Sequence, residues 1–231
     1  MNEDLKDFLT NYDNNKYQHP SVTVDVLVFA INNKNEFCVL MTKRNEMPFK
    51  NQLALPGSFV GINEGLEDTV YRIFKSKLDI ETVGVEQLYT FGDVNRDPRT
   101  RVISIAYWGF LSDINKVEEN DNHKWINVEE VENMTDIAFD HKDIIRLAVN
   151  RLRNKINYSS IALGLVKDYH RFTIHELKTI HEAILDKKLD TANFRKMFNN
   201  KFVREGIVIK TGEKCHDFAR ASDYYTLADL I

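Results

Sequence analysis

Cysteine is scarce in this chain of 231 residues, which contains only Cys38 and Cys215. Two cysteines so far apart in sequence are too few for a disulfide framework or a structural zinc site, so we expect reduced thiols. Proline and glycine are also few, at 4 and 9 residues, and no low-complexity run occurs. This composition excludes collagen-like and disordered classes and is typical of a soluble globular protein.

Long hydrophobic runs are missing as well. No stretch approaches the roughly 18 uncharged apolar residues that a membrane helix requires. The first 20 residues are acidic and polar, without the basic start and apolar segment of a signal peptide. We therefore expect a cytoplasmic protein that has no membrane partner.

The charge is divided unevenly along the chain, which is long enough for two domains. Residues 1–140 hold 14 Lys+Arg against 24 Asp+Glu, a net charge of −10, whereas residues 141–231 hold 17 against 11, a net charge of +6. The total of −4 therefore conceals an acidic part and a basic part, and we place the domain boundary between them. The basic part suggests a polyanion partner, although solvated lysine-rich helices would carry the same charge.

The first 140 residues alternate between strand-like and helical patterns. Runs rich in β-branched and aromatic residues predict strands over 22–31, 36–42, 86–93 and 102–111. Apolar residues at three- and four-residue spacing predict an amphipathic helix over 66–78. Strands interrupted by a helix in a unit of this size are typical of an α+β or α/β sandwich.

The run from Gly57 to Glu64, continued by Arg72, resembles the Nudix box, whose pattern is G-x5-E-x7-R-E-U-x-E-E-x-G-U with U aliphatic. Ser58 falls on the first glycine, Glu64 on the first glutamate, and Arg72 on the arginine. Asp79 replaces the closing glycine. The resemblance covers residues 20–140 and implies a Nudix-like α/β/α sandwich with a pocket for a nucleoside diphosphate linked to another moiety.

The three positions where the family carries glutamates hold Ile73, Ser76 and Lys77. The family uses those carboxylates, on one helical face, to gather Mg²⁺ or Mn²⁺ around a pyrophosphate. Lys77 is the most damaging change, because it puts a positive charge where the metal belongs. Glu64 and Glu67 remain, but acidic residues in a first helical turn usually stabilise the helix dipole. We expect a degenerate box with no catalytic residue, no metal and no required cofactor.

The segment over residues 91–107 resembles ADP-ribose-type Nudix proteins and their regulatory relatives. Arg96, Arg99 and Arg101 fall within six residues, and the guanidinium fork suits phosphate recognition. A solvated hairpin loop is the alternative for these arginines. We expect at least one of them to bind an effector, ADP-ribose or a related sugar or nucleotide, and take Arg44 as a further candidate.

The basic part begins with an apolar spacing that predicts a long helix from Phe139 to Val166. The arginines of this helix lie outside its apolar stripe, and we expect them to face solvent or the other domain. A second helix is predicted over 174–185, because Thr173 and Glu176 match a capping box. Asp190 is suited to cap a third helix over 191–199.

Two short capped helices joined by about five residues are typical of a helix-turn-helix, and strand-like runs over 206–212 and 223–227 suggest a wing. Asn and Arg side chains read base edges, while Lys and Thr suit phosphates. By itself this pattern also fits a helical hairpin that never contacts DNA. The candidate DNA-binding residues are Thr173, His175, Lys188, Thr191, Asn193, Arg195, Lys196, Lys214 and Arg220.

The order of these parts resembles the Nudix-related transcriptional regulators of the NrtR family along nearly the whole chain. The runs that carry the resemblance, besides the degenerate box, are RLRNKINY over 151–158, FTIHEL over 172–177 and LDTANFRKM over 189–197. The family implies an α+β protein in which a Nudix-like sandwich precedes a winged helix-turn-helix domain. It also implies a homodimer that binds a double-stranded DNA operator and controls NAD metabolism or pentose utilisation. The wing departs from the family at FARAS over 218–222.

Two other functions remain open at this stage. A working hydrolase of ADP-ribose or a similar nucleoside diphosphate derivative would need Mg²⁺ or Mn²⁺ held by Glu64, Glu67 or an acidic loop residue. A scaffold that senses a nucleotide without binding DNA would have the same composition and charge.

Overall fold

The computed structural model describes residues 3–80, 84–216 and 221–228. The helices of these ranges are α1 Glu3–Thr10, α2 Leu66–Ile73, α3 His141–Lys155, α4 Ile174–Leu185 and α5 Thr191–Phe198. The strands are β1 Ser21–Ile31, β2 Phe37–Lys43, β3 Leu53–Ala54, β4 Gly57–Phe59, β5 Val85–Phe91, β6 Val102–Phe110, β7 His123–Asn127, β8 Phe172–Thr173, β9 Val208–Cys215 and β10 Ser222–Leu227. The four strands predicted in the first part are confirmed within two residues, and the helix predicted over 66–78 is formed by α2 together with the π-helical turn Phe74–Leu78. Helix α1 is an addition to the expected polar leader.

The first part is built on a mixed sheet of seven strands with β1 at its centre. The main path runs β3-β2-β1-β6-β5, while β4 also pairs with β1 and β7 with β2. The pair β1–β6 is parallel, from Ser21 opposite Val102 to Phe29 opposite Phe110, and the other pairs are antiparallel. Residues 24 and 26–30 of β1 are fully buried, as a strand covered on both faces requires.

Two apolar clusters lie on opposite faces of this sheet. Even-numbered residues of β1, such as Val24 and Val28, pack with Val70 and Ile73 of α2. Odd-numbered residues such as Phe29 pack in the cluster that contains α3. Because successive strand residues point to opposite faces, this division gives the predicted α/β/α sandwich.

Helix α2 continues into a π-helical turn, Phe74–Leu78, which ends at Asp79. Asp79 has a φ of 52°, in the left-handed region that favours glycine. Aspartate is one of the few other residues that enter this region readily. The chain therefore turns at the position of the closing glycine of the box without having a glycine there.

Helix α3 is shorter than the sequence pattern suggested. It ends at Lys155, and only a 3-10 turn, Ile161–Leu165, follows before Val166, so the prediction of a helix to Val166 was wrong. The Ser159 hydroxyl donates to the carbonyl of Lys155 at 2.8 Å, and the Asn157 amide donates to that of Arg153 at 3.4 Å. Such local side-chain bonds compete with helix continuation.

The second part has the elements of a winged helix. Helices α4 and α5 pack beside a three-stranded antiparallel sheet in the order β8-β10-β9, around a core that includes Phe172, Phe198 and Tyr225. The Thr173 hydroxyl accepts from the amide of Glu176 at 3.1 Å, and Asp190 accepts from that of Asn193 at 2.8 Å, so both caps are confirmed. The capping box is only half formed, because the Glu176 carboxylate accepts from the Lys167 amide at 3.0 Å.

Helix α3 packs against both parts. One continuous cluster of buried side chains includes Trp108 of the sheet, Ile145 and Leu152 of α3, and Ile180 and Phe198 of the winged helix. The domain boundary that we placed between residues 140 and 141 therefore falls at the start of α3, a helix that packs against both units. Across the described residues, every helix is too short or too polar to span a lipid bilayer.

Candidate functional site

Arg72 of α2 holds the loop of the box in place. Its guanidinium contacts both carboxylate oxygens of Glu64, at 2.6 and 2.8 Å, and donates to the Ser58 hydroxyl and the Phe59 carbonyl, each at 2.9 Å. Glu64 also accepts from the Gly61 amide at 2.9 Å. The Arg72 contact lowers the pKa of Glu64 to about 2. The Glu64 carboxylate is thus fully engaged in shaping the loop.

The box does not offer a donor set that fits a divalent cation. Ile73 is fully buried in the core, and the Ser76 hydroxyl donates to the Arg72 carbonyl at 2.6 Å. The Lys77 ammonium donates to the carbonyl of Gly57. Glu67 is exposed in the first turn of α2 and does not line the cavity described below. Mg²⁺ and Mn²⁺ need oxygen ligands, and here an apolar side chain and a cation take their positions.

A cavity of about 450 Å³ opens beside the box. Its walls are formed by β1, β3, β4, the end of β2 with the residues that follow it, and the π-helical turn after α2. The 96–99 loop and the chain around the start of α3 complete the lining. Its volume is in the range of about 300 to 1,000 Å³ typical of small-molecule sites. Its charged lining consists of Lys43, Arg44, Lys77, Arg96 and Arg99 with Asp25, Glu46 and Asp97, and aromatic surface is supplied by Phe59 and Phe139.

Arg96 is the most buried of these cations, with 4% of its side chain exposed. It contacts both carboxylate oxygens of Asp140, at 2.7 and 2.9 Å, and approaches Asp25 at 3.4 Å. Asp25 also accepts from the Ser104 hydroxyl at 2.5 Å. These bonds join β1 and β6 to the residue that precedes α3.

His141, at the start of α3, completes this buried network. Its Nδ1 accepts from the Leu55 amide at 2.8 Å, and its Nε2 lies 3.7 Å from Asp25. Burial lowers the pKa of His141, against the opposing effect of the Asp25 carboxylate, so the imidazole is neutral near pH 7. With Nδ1 acting as the acceptor, the proton is assigned to Nε2, facing Asp25.

The other predicted arginines differ in their surroundings. Arg99 contacts Asp97 at 2.7 Å and lies over the Phe59 ring, 5.6 Å from its centroid. Arg44 donates to the Pro48 carbonyl at 2.8 Å and lies over the Phe139 ring at 4.7 Å. Three of the four arginines predicted for the effector site, Arg44, Arg96 and Arg99, line the cavity.

Arg101, the fourth arginine predicted for the effector site, does not line the cavity. It donates to the Asp93 carbonyl at 2.8 Å, because the loop folds back on itself between these residues. Conversely, sequence reasoning missed the cavity lining of Lys43 and Phe139, for which no motif gave a signal. It treated Lys77 only as a lost metal ligand.

The second helix of the helix-turn-helix presents a polar surface. Phe194 and Phe198 of α5 are buried, as predicted, while its remaining predicted side chains are exposed: Thr191, Asn193, Arg195 and Lys196. Arg195 also lines a groove of about 220 Å³ with Asn199, Lys210 and Asp223. This face combines α5 and the wing.

The wing lysines are partly neutralised. Asp223 contacts Lys210 at 2.8 Å and also forms an ion pair with Lys214, one of the predicted DNA-binding residues. Arg220, another of them, lies outside the described residues. The local charge of the wing is therefore lower than its lysine count suggests.

Three other predicted DNA-binding residues lie away from the exposed face of α5. Thr173 is buried and caps α4, which gives it a structural role and leaves little of its side chain to contact DNA as predicted. His175 and Lys188 line a cleft of about 600 Å³ that also contains Glu36 and Glu129 of the first part. That cleft separates the two packed units.

The basic side chains of α3 bridge the two units or pair locally, as expected. Arg153 donates to the Ile184 carbonyl at the end of α4, at 2.8 Å, and forms an ion pair with Glu129 of the first part. Arg151 donates to the Leu88 carbonyl of β5. Arg146 pairs with Glu132 at 2.7 Å.

Comparison with known proteins supports both halves of this architecture. Residues 21–148 match the NUDIX domain family, and residues 169–227 match the NrtR DNA-binding winged helix domain family. The chain is 28% identical over 226 residues to the ADPR responsive transcriptional repressor NtrR of Acinetobacter baylyi, an alignment that covers 96% of this chain and 87% of that protein.

Two further relatives are a DNA-binding protein and a pyrophosphatase. Shewanella oneidensis NrtR in complex with a 27mer DNA has a TM-score of 0.75 and 30% identity, covering 89% of this chain and 93% of that one. Its NUDIX domain, crystallised with ADP ribose, has a TM-score of 0.56 and 31% identity, covering 66% and 99%. The ADP-ribose pyrophosphatase of Methanocaldococcus jannaschii is 33% identical over 132 residues, covering 56% of this chain and 73% of that protein.

Proposed function

The chain belongs to the NUDIX family and combines that domain with an NrtR-type winged helix, and on this premise we propose that it is a transcriptional repressor whose effector is ADP-ribose. The observation that carries the proposal is the pairing, in one chain, of a cationic cavity without metal ligands and an exposed polar recognition helix. The relatives from Acinetobacter baylyi and Shewanella oneidensis support both the DNA and the ADP-ribose parts.

The cavity suits a nucleoside diphosphate with a sugar attached. Guanidinium and ammonium groups at Arg44, Arg99 and Lys77 are positioned for diphosphate oxygens. The rings of Phe59 and Phe139 supply apolar faces for a base or a ribose. An anionic ligand of this kind matches both the charge and the size of the cavity.

On the winged helix, we assign base contacts to Asn193 and Arg195 and phosphate contacts to Thr191 and Lys196. All four are exposed on α5, whose apolar side is buried in the domain core. The protein acts as a homodimer, because two copies of one recognition helix read two half-sites of an operator.

The effector signal passes through α3. Arg96 in the cavity is bonded to Asp140, the residue that precedes α3, and Arg153 near the end of α3 is bonded to the last turn of α4. A ligand that draws Arg96 or its neighbours toward its phosphates changes the position of α3 and with it that of α4. The effector then shifts operator affinity by its difference in affinity between the two arrangements.

We propose further that the chain does not hydrolyse ADP-ribose and needs no Mg²⁺ or Mn²⁺. Hydrolysis depends on metal-bound carboxylates, and positions 73, 76 and 77 supply none. The similarity to the Methanocaldococcus jannaschii pyrophosphatase keeps a hydrolase as the second candidate. Release of AMP and ribose 5-phosphate from ADP-ribose with Mg²⁺ or Mn²⁺ separates the two, and turnover that Glu67→Gln abolishes would establish the hydrolase.

The central test is an electrophoretic mobility shift of the full-length protein on the DNA upstream of its own operon. We expect a specific shift without ADP-ribose, weakened when ADP-ribose is added, and a slope against salt that counts the phosphate contacts. Pentoses in the same panel test the sugar-related effectors. Absence of any shift at low and high salt would refute DNA binding and favour a nucleotide-sensing scaffold.

A further inference from the structure

We propose that Lys77 and Arg44 form a metal-free diphosphate clamp, in which the Lys77 ammonium takes the place of the divalent cation of a catalytic Nudix box. The clamp deepens the proposed function and rests on it, since its ligand is the ADP-ribose diphosphate. It assigns Lys77 a direct role in ligand binding. From the sequence alone, Lys77 indicated only the loss of a metal ligand.

The first support is the balance of charge inside the cavity. Arg96 is neutralised by Asp140 and Asp25, and Arg99 is neutralised by Asp97. Within the described residues, the remaining cations of the cavity lining form no ion pair with a carboxylate: Lys43, Arg44 and Lys77. These three cations outnumber Glu46, the carboxylate of the lining that is in none of those pairs, so the excess positive charge lies on the side of the cavity formed by the end of β2 and the box, and an anion is drawn there.

The second support is the way these two cations are held. Lys77 donates to the Gly57 carbonyl, and Arg44 donates to the Pro48 carbonyl at 2.8 Å and the Glu46 carbonyl at 3.5 Å. A carbonyl orients a cation but leaves its net charge in place. Both groups are thus positioned in advance at the cavity wall while keeping the charge that a diphosphate requires.

The third support is the mutual repulsion of the cations. Burial lowers the pKa of Lys77, and the charges of Arg72 and Arg44 lower it further, against the opposing effect of Asp25. Burial also lowers the pKa of Arg44, and the charge of Arg99 adds to this, against the opposing effects of Asp97, Glu46 and Asp25. Like charges that the neighbouring carboxylates compensate only in part are destabilising, and a bound dianion between them relieves that repulsion.

The local backbone explains how Lys77 reaches this position. It lies in the π-helical turn that follows α2, and π turns inside helices are frequent at functional sites. Lys75 is in the same turn and, like Lys77, is exposed, but it does not line the cavity. Lys75 is therefore a matched control for the charge and the helix position of Lys77.

The test is calorimetric titration of the full-length protein with ADP-ribose, once in EDTA and once in Mg²⁺. For the wild type we expect one affinity in both buffers. Lys77→Gln is expected to weaken binding at least about tenfold, because it removes one charge-assisted hydrogen bond, whereas Lys75→Gln leaves it unchanged. Arg44→Gln is expected to weaken binding to a similar degree, which provides a second variant if Lys77→Gln fails to fold.

Lys77→Glu restores a carboxylate at a box position and gives the sharpest contrast. We expect its ADP-ribose binding to be abolished in EDTA and partly recovered in Mg²⁺, a metal dependence that the wild type lacks. A folded Lys77→Gln protein with wild-type affinity, or wild-type binding that EDTA abolishes, would overturn the clamp alone. A wild-type protein that binds no ADP-ribose in either buffer would instead overturn the proposed function, and the clamp with it.

Discussion

Arg96, deep in the cavity beside the box, and the cations on the exposed face of α5 are held in opposite ways. The side chain of Arg96 is 4% exposed and bound to two carboxylates. On α5, Arg195 and Lys196 face solvent. The difference follows from burial, because a charge in a low-dielectric interior must be compensated, whereas water compensates one at the surface.

This contrast assigns the two regions different physical roles. Buried, compensated charges hold elements of the fold at fixed distances, so their removal is expected to affect stability. Exposed charges contribute little to stability and remain available to a polyanion, so their removal is expected to affect binding. The following substitutions test that division, beginning with the largest expected effect.

Arg96→Leu is expected to lower the free energy of unfolding by about 3 kcal/mol, because it leaves the Asp25 and Asp140 carboxylates without their shared cation. Urea denaturation followed by circular dichroism measures the change. Arg101→Leu is the control, since Arg101 is exposed and bonded only to a carbonyl of its own loop. Equal stability of the two variants would show that the buried ion pairs of Arg96 do not stabilise the fold.

The double reversal Arg195→Glu with Lys196→Glu is expected to weaken operator binding by about 100-fold or more, because it removes a side chain assigned to a base edge and another assigned to a phosphate. Its free energy of unfolding is expected to change by less than about 0.5 kcal/mol, because both side chains are exposed. Mobility shifts and urea denaturation measure the two quantities. Lys34→Glu, an exposed turn residue of the first part, is the control, and unaltered operator binding by the double variant would show that α5 does not read DNA.

The winged helix is expected to lose stability in mild acid through His181. Burial lowers the pKa of His181 to about 4, so the unfolded chain takes up the proton first. Stability is therefore complete above pH 6.5 and declines, by at most about 1.4 kcal/mol per pH unit, between pH 6.5 and 4. The pKa of His141 is lowered in the same direction.

His181→Leu is expected to make this acid dependence shallower, because it removes the titrating imidazole, whose Nε2 has no hydrogen-bond partner among the described residues and whose Nδ1 donates to the Leu177 carbonyl at 2.8 Å. Urea denaturation of both proteins between pH 4 and 7 measures the slopes. His175→Leu, an exposed histidine of the same helix, is the control. Identical slopes for wild type and His181→Leu would place the acid sensitivity elsewhere.

Arg153→Ala is expected to reduce the coupling between ADP-ribose and operator binding by about 1 kcal/mol while leaving each separate affinity close to wild type. The reason is that Arg153 connects Glu129 of the first part to the Ile184 carbonyl of α4. Mobility shifts at several ADP-ribose concentrations give the coupling. Arg146→Ala, on the same helix but paired with Glu132 and Asp143, is the control, and full coupling in Arg153→Ala would exclude this route.

Asp223→Asn is expected to lower the free energy of unfolding by less than about 1 kcal/mol, because its ion pairs with Lys210 and Lys214 are largely exposed. It also frees two lysines of the wing, so affinity for non-specific DNA should rise and its salt dependence should steepen. Thermal unfolding and mobility shifts on a random duplex measure these changes. Asp186→Asn provides the matched charge change away from the wing, and equal DNA binding by both would mean that the wing does not contact DNA.

Much of the fold was predictable because its signals are local. The spacing of Leu66, Val70 and Ile73 predicted α2, and the hydroxyl and carboxylate of Thr173 and Asp190 marked the starts of α4 and α5. The extension of α3 beyond Lys155 was wrong because serine and asparagine side chains there bond back to the helix backbone, which an apolar pattern does not register.

The sequence predicted the chemical type of each candidate site better than it predicted which residues line the site. Three guanidiniums in six residues indicated anion recognition, but only two of them, Arg96 and Arg99, reach the cavity. His175 and Lys188 belong to the same helix-turn-helix as Arg195, yet they line the cleft toward the first part. Residues that are close in sequence diverge in space because a helix turns their side chains to different faces.

The sequence by itself determined which chemical groups are present: two units of opposite charge, a box without carboxylates at three positions, and two capped helices with a polar face. Residue type and short-range spacing suffice for such features. Only the tertiary structure decided which cations form ion pairs, since Arg96 contacts Asp140 across 44 residues, while Lys77 and Arg44 donate to backbone carbonyls. Electrostatic energy depends on distance and burial in space, and for residues far apart along the chain these are properties of the packed fold.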